Sequence, residues 1–102
     1  MAGGRRVRHI TGSFGGASGE ELFEQRWVPE QPARAVVAIV HGLGEHSGRY
    51  STVIDALTPR GYIISSFDLR GHGRSPGARG HITSWEEYRD DVRRFIRRAV
   101  AE

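Results

Sequence analysis

Two glycine-rich stretches hold most of the residues able to do chemistry. The first is His41-Gly42-Leu43-Gly44-Glu45-His46-Ser47-Gly48-Arg49-Tyr50, and the second is Asp68-Leu69-Arg70-Gly71-His72-Gly73-Arg74-Ser75-Pro76-Gly77. In the first, Gly42 and Gly44 let the backbone turn sharply and leave the Leu43 N–H free to point into a cleft. A fixed backbone donor is what an oxyanion hole requires, because negative charge develops there on an acyl oxygen. The same glycines also fit a tight strand-to-helix turn with no chemistry, and residue types alone leave both readings open.

Other chemistries fit less well. Gly42-Leu43-Gly44-Glu45-His46-Ser47 meets the first two glycines of the dinucleotide fingerprint, with Ser47 where the third should stand. Asp68 falls where a ribose-binding acid would sit, but Glu45 and His46 are odd neighbours for a pyrophosphate. Gly73-Arg74-Ser75-Pro76-Gly77 satisfies G-x-S-x-G, yet Pro76 has no N–H to offer an oxyanion and no helix starts behind Ser75. His41, His46, His72 and His81 share two loops, but a glycine turn separates the first pair and no carboxylate spacing resembles a zinc pattern. They are expected to be structural, with no metal and no cofactor. Asp68 and Arg70 are expected to pin the second loop by a charge-assisted hydrogen bond.

The elements that position these loops follow from periodicity. Ala35–Val40 is six apolar residues in a row, too short for a membrane span and suited to a strand buried on both faces. Tyr50, Val53, Ile54 and Leu57 mark one face of a helix over Tyr50–Arg60, closed by Gly61. Tyr62–Phe67 is a second buried-type strand. Upstream, His9–Phe14 reads as an edge strand, Gly15–Gly19 as a turn, and Glu21–Val28 as its hairpin partner. Downstream, Ser84 caps a helix and Glu87 completes a capping box. Trp85, Tyr88, Val92, Phe95, Ile96 and Ala99 form its apolar stripe. Acidic residues crowd its start, and Arg93, Arg94, Arg97 and Arg98 its solvated end, as the helix dipole prefers. The order is β-β-β-α-β-α, an α/β arrangement with a mostly parallel sheet.

The totals narrow the field. The 102 residues suffice for one small domain, whereas doubly wound sheets often run to about 200–250. The net charge of +3 comes from 15 arginines and no lysine, scattered or beside acids, so no aromatic-interleaved basic stripe points to nucleic acid. With no cysteine, disulfides and a thiol nucleophile are excluded. No apolar leader follows Met1 and no transmembrane segment is evident, so a cytoplasmic location is expected. Residues 1–8, rich in glycine and arginine, are expected to be disordered.

The two loops together carry a family resemblance. His41–Tyr50 resembles the oxyanion loop of monoacylglycerol lipase-like and lysophospholipase-like α/β-hydrolases, and Asp68–Gly77 resembles the loop after their fourth strand. Gln25-Arg26-Trp27 is similar to their second strand, and the resemblance runs from about His9 onward. It implies a serine ester hydrolase acting on acyl-ester or lipid substrates without a cofactor. It assigns Leu43, with loop residues His41, Gly42 and Gly44, to the oxyanion hole. Asp68, Arg70, Gly71, His72 and Gly73 fall in a structural loop near the site. The family's serine, acid and base all come later in the chain, so residues 1–102 are expected to form a single partial domain truncated before the nucleophile elbow. Without a triad, this chain alone is expected to be inactive. In the family's strand order the third strand lies between the fourth and fifth, which would leave Ala35–Val40 as an apolar edge prone to self-association.

Overall fold

A computed structural model describes residues 7–42, 50–79 and 84–101. It contains four strands: β1 (Val7–Gly15), β2 (Glu21–Pro29), β3 (Ala35–Val40) and β4 (Tyr62–Phe67). Helix α1 (Ser51–Leu57) passes into a 3₁₀ turn over Thr58–Arg60, and helix α2 (Trp85–Val100) follows the second glycine-rich loop. The helix expected over Tyr50–Arg60 therefore changes character near its end. Pro59 has no N–H for the helical ladder, and the Ile54 carbonyl accepts both the backbone N–H of Thr58 and its hydroxyl, the latter at 2.8 Å.

The strands lie in the order β1-β2-β4-β3. β1 and β2 form the expected hairpin, in register from Val7 opposite Pro29 to Gly15 opposite Glu21, which corrects the expected disorder for Val7 and Arg8: backbone pairing with Pro29 and Val28 carries the strand two residues further toward the amino terminus. β2 also runs antiparallel to β4, with Glu24 opposite Phe67. Of the described pairs, β3 with β4 is the parallel one, with Ala35 beside Tyr62 and Val40 beside Phe67. The expectation of a mostly parallel sheet is corrected: two of the three described pairings are antiparallel. β4 passes between β2 and β3, so it meets the hairpin on one side and the βαβ unit on the other.

That order also corrects the reading of β3 as buried on both faces. It lies at the margin of the described sheet, its residues are exposed or half-buried, and Val40 is 42% exposed. A continuous apolar run reports that a strand is meant for burial, and cannot say what covers it.

The core lies between the sheet and α2. Phe14, Leu22, Phe67, Leu69, Tyr88 and Phe95 form one cluster, with Val92 packed against it. The Phe67 ring meets Phe95 at 4.7 Å and Phe14 edge-on at 5.3 Å, geometries that aromatic rings favour. The α2 stripe differs from the expected one. Tyr88, Asp91, Phe95 and Ala99 face inward, while Trp85 and Ile96 are exposed. The inward face is thus rotated toward Asp91, a carboxylate fully removed from solvent.

This packing predicts a contrast. Phe95→Ala should lower stability by about 3–5 kcal/mol, as large-to-small core changes do. Ile96→Ala, one residue on, should stay within about 0.5 kcal/mol. Urea midpoints of the two variants check the assignment, and equal losses would contradict it.

Candidate functional site

Parallel pairing brings the carboxyl ends of β3 and β4 to one edge of the sheet, beside the start of β2. Both glycine-rich loops leave from that edge. Leu43, Gly44, His46 and His81 lie outside the described residues. His41 and Gly42, the first two residues of the expected oxyanion loop, lie within them, as does the whole of Asp68–Gly77.

His41 and His72 come together, with ring centroids 5.3 Å apart. Both are buried. His41 Nε2 accepts the Leu69 N–H at 2.8 Å, and His41 Nδ1 faces the Gly42 carbonyl at 2.7 Å. His72 Nδ1 faces the Arg70 carbonyl at 3.1 Å. The two loops are thus joined through an imidazole rather than through a shared cation.

Ser75 sits far from a nucleophile's situation. It is 1% exposed, its hydroxyl donates to the Asp68 carbonyl, and the same oxygen accepts the Phe23 N–H at 2.9 Å. One side chain therefore ties the loop to the end of β4 and to β2. An elbow serine needs its oxygen exposed at a strand-to-helix turn, so the G-x-S-x-G string here is a structural tether. Around it the loop folds on itself. The Gly71 N–H donates to the Pro76 carbonyl at 2.8 Å, and Gly71 and Gly73 both take positive φ, where a Cβ would be strained.

Asp68 and Arg70 do not pair, which corrects the expected pin. Asp68 Oδ2 accepts the Arg74 N–H at 2.9 Å. Arg70 turns the other way, into a cluster of carboxylates. Its Nε and Nη2 reach the two oxygens of Asp91 at 3.1 and 3.0 Å, a bidentate pair, and Nη1 reaches Glu87 at 3.0 Å, Ser18 at 3.1 Å and Glu20 at 3.2 Å. Burial alone would lower the Arg70 pKa. The Asp91 hydrogen bond and the charges of Asp91, Glu20 and Glu87 outweigh that and raise it above its ordinary value. The guanidinium is a permanent cation here.

Asp91 is the residue that sequence reasoning missed. It is fully buried, and besides Arg70 it accepts the Ala17 N–H at 2.9 Å. Space is tight there, since a Cβ on Gly16 would lie 2.9 Å from Asp91 Oδ1 and from Leu22. The available signal was spacing: Asp91 stands three residues after Tyr88 and four before Phe95, on the inward row of α2. Glu24 was missed in the same way. It faces the core and is held by a bidentate pair with Arg98. Arg98 thus adds an ion pair to the solvated reading of the arginine-rich helix end without overturning it, since its side chain is half exposed and Arg93, Arg94 and Arg97 are exposed too.

No group of three metal-ligating side chains occurs among the described residues, and both His41 nitrogens already face backbone groups. No described helix is long and apolar enough to cross a membrane.

Known proteins are similar over most of this chain. The family model described as serine aminopeptidase, S33, matches residues 31–102. The monoacylglycerol lipase of Mycolicibacterium smegmatis is 35% identical over 96 residues, covering 94% of this chain and 33% of that protein. Phospholipase YtpA of Bacillus subtilis is 41% identical over 73 residues, covering 72% and 28%. Among solved structures, a thermostable carboxyl esterase from Bacillus coagulans in complex with glycerol superimposes with a TM-score of 0.74 at 22% identity, over 90% of this chain and 32% of that one. That last likeness speaks to the fold alone. The chain spans a third or less of the length of these relatives.

The Arg70 cluster yields a stability prediction. Arg70→Met should cost about 3–5 kcal/mol, because it leaves Asp91 buried without its cation. Adding Asp91→Leu should recover part of that loss. A double-mutant cycle in urea measures the coupling, and additive losses would rule out the pairing as its source.

Proposed function

Because the chain belongs to the serine aminopeptidase S33 family of α/β-hydrolases, we propose that it forms the oxyanion side of a lipase-type ester hydrolase. The observation that carries this reading is the convergence of the His41-Gly42 and Asp68–Gly77 loops at one sheet edge, joined by the His41–Leu69 hydrogen bond. On this reading the Leu43 N–H stabilises the developing oxyanion of a lipid acyl ester, with Gly44 allowing the turn. Asp68, Arg70, Gly71, His72 and Gly73 hold the neighbouring loop. Lipid esters fit because similar proteins are named as a monoacylglycerol lipase and a phospholipase.

An oxyanion donor acts only beside a nucleophile and its base. The only G-x-S-x-G serine of these 102 residues, Ser75, is buried in structural hydrogen bonds. On this reading the 102-residue chain alone does not turn over an ester, and a cytoplasmic site of action is part of the same proposal. We also place self-association at the β3 edge. Ala35–Val40 offers an uncharged apolar margin, and such edges pair readily with further strands.

Purified chain should not hydrolyse a short-chain nitrophenyl ester, and turnover abolished by a change at Leu43 would overturn this. Transplanting His41–Tyr50 into the aligned segment of the Mycolicibacterium smegmatis lipase should preserve its activity. Leu43→Pro in that transplant deletes the donor and should lower kcat by about 10²–10³-fold with little change in KM. For the edge, sedimentation should show concentration-dependent association that Ala38→Lys suppresses. Indifference to the lysine would exclude pairing through β3.

A further inference from the structure

Several arginines on or beside α2 are matched by acids. Arg70 meets Asp91, Glu87 and Glu20, Arg98 meets Glu24, and Arg89 meets Asp90 at 3.2 Å. Arg93, Arg94 and Arg97 differ. All three are exposed, and none of their side chains has an ion pair or hydrogen bond among the described residues. The acids nearest in sequence are engaged elsewhere, Glu87 and Asp91 with Arg70 and Asp90 with Arg89. Arg93 and Arg97 lie one turn apart on one row of α2, and Arg94 stands three residues before Arg97. Like charges at these spacings weaken a helix. The helix dipole rewards cations in the last turn, where Arg97 and Arg98 stand, but not in mid-helix, where Arg93 and Arg94 stand. Packing does not call for them either, because the inward row is Tyr88, Asp91, Phe95 and Ala99.

The three side chains line one shallow polar depression of about 280 Å³ between α2 and the β1–β2 turn, with Ala17 and Asp90 completing its wall. The turn is fixed there, since the Ala17 N–H donates to buried Asp91 at 2.9 Å. The Ala17 methyl leaves open a space that a longer side chain would fill. Asp90 is the carboxylate on this wall, and its pairing with Arg89 leaves the charge of the three arginines uncancelled. Each guanidinium offers a rigid fork of N–H donors. Three forks supply more donors than a carboxylate can accept, whereas a phosphate group presents three strong acceptor oxygens and up to two charges. From Arg93 to Arg97 the helix rises only about 6 Å, which suits one phosphate rather than the backbone of a polyanion. We infer that Arg93, Arg94 and Arg97, walled by the turn at Ala17, form a binding site for a single phosphate group. A small soluble phosphate and the headgroup of a phospholipid offer this same chemistry. None of these residues belongs to the loops that carry the esterase reading, so the site stands or falls independently of it.

The test titrates the ¹⁵N-labelled 102-residue chain with inorganic phosphate, with sodium chloride adjusted to hold ionic strength constant. The Nε–Hε signals of Arg93, Arg94 and Arg97 and the amide of Ala17 should shift together and saturate in the millimolar range. Arg97→Gln removes one fork, and Ala17→Glu sets a carboxylate in the depression. Each should weaken binding about tenfold. Arg60→Gln removes the same charge from an exposed arginine of the 3₁₀ turn and should leave the affinity within about twofold, because exposed charges are screened at such ionic strength. A parallel arm measures flotation of the chain with phosphatidylglycerol vesicles, with and without Ala17→Glu. Saturation by inorganic phosphate supports the site and assigns it to soluble phosphates. Flotation that Ala17→Glu abolishes, with no response to inorganic phosphate, supports the site and assigns it to a lipid headgroup. Response to neither probe overturns the proposal, as does equal weakening by Arg60→Gln and Arg97→Gln. Should a variant fail to fold, the unsubstituted chain decides: shifts that chloride alone reproduces overturn the site, and saturation specific to phosphate at the three arginines upholds it.

Discussion

The structure depends on a buried cation. Arg70 leaves the end of β4 and meets the carboxylates of Asp91 and Glu87 on α2 and of Glu20 beside the β1–β2 hairpin. Three elements that share no local sequence are thereby fixed to one guanidinium. Its planar fork matches Asp91 with two parallel hydrogen bonds, which a lysine could not supply. Burying these charges is not in itself a source of stability, because desolvation offsets most of the attraction. What the cluster contributes is uniqueness. A helix with Asp91 on its inward row can dock only where a cation waits, and that sets its rotation on the sheet.

The same cluster governs the geometry of the loops. Leu69 precedes Arg70, so anchoring the guanidinium against α2 also fixes the amide that faces His41. Ser75 closes the other end of the loop onto Asp68 and Phe23. Glu87 serves twice: one oxygen caps the Ser84 N–H at 3.4 Å and the other meets Arg70. The start of α2 and the anchoring of the loop are therefore one arrangement, and the position of Gly42 follows from it.

Much of this was legible in the sequence, and the reasons are local. β3 and β4 have the expected bounds because each is a short run rich in β-branched or aromatic residues and ended by turn formers. Gly61 closes the 3₁₀ turn with φ of 94°, and Ser84 and Glu87 form the expected box. The reading of Ser75 as unfit for catalysis needed only Pro76 beside it. What was not legible is non-local. Nothing in the residue types tells Asp91 from the solvated acids around it, or the Arg98 that pairs with Glu24 from the arginines beside it. Their partners Ala17 and Glu24 each lie 74 residues away, in the hairpin turn and on β2. The antiparallel pairing of β2 with β4 has the same origin, and the polar inward row of α2 hid the true rotation of the helix.

Those separations bear on how the chain reaches its fold. The β1–β2 hairpin leaves the ribosome well before α2, and its ladder can form within microseconds. Its inward face, with Glu24 and the Asp91-seeking turn at Ala17, must then wait until α2 has been synthesised. At about 5–20 residues per second that delay is several seconds, far longer than the hairpin's own formation time. Through that interval a core-facing acid and an aromatic sheet face stay in water with no native partner. The contacts that complete the fold are those of greatest loop-closure entropy. The hairpin is thus a platform built early and locked last, and the lock is the arrival of Asp91 and Arg98 on a single helix.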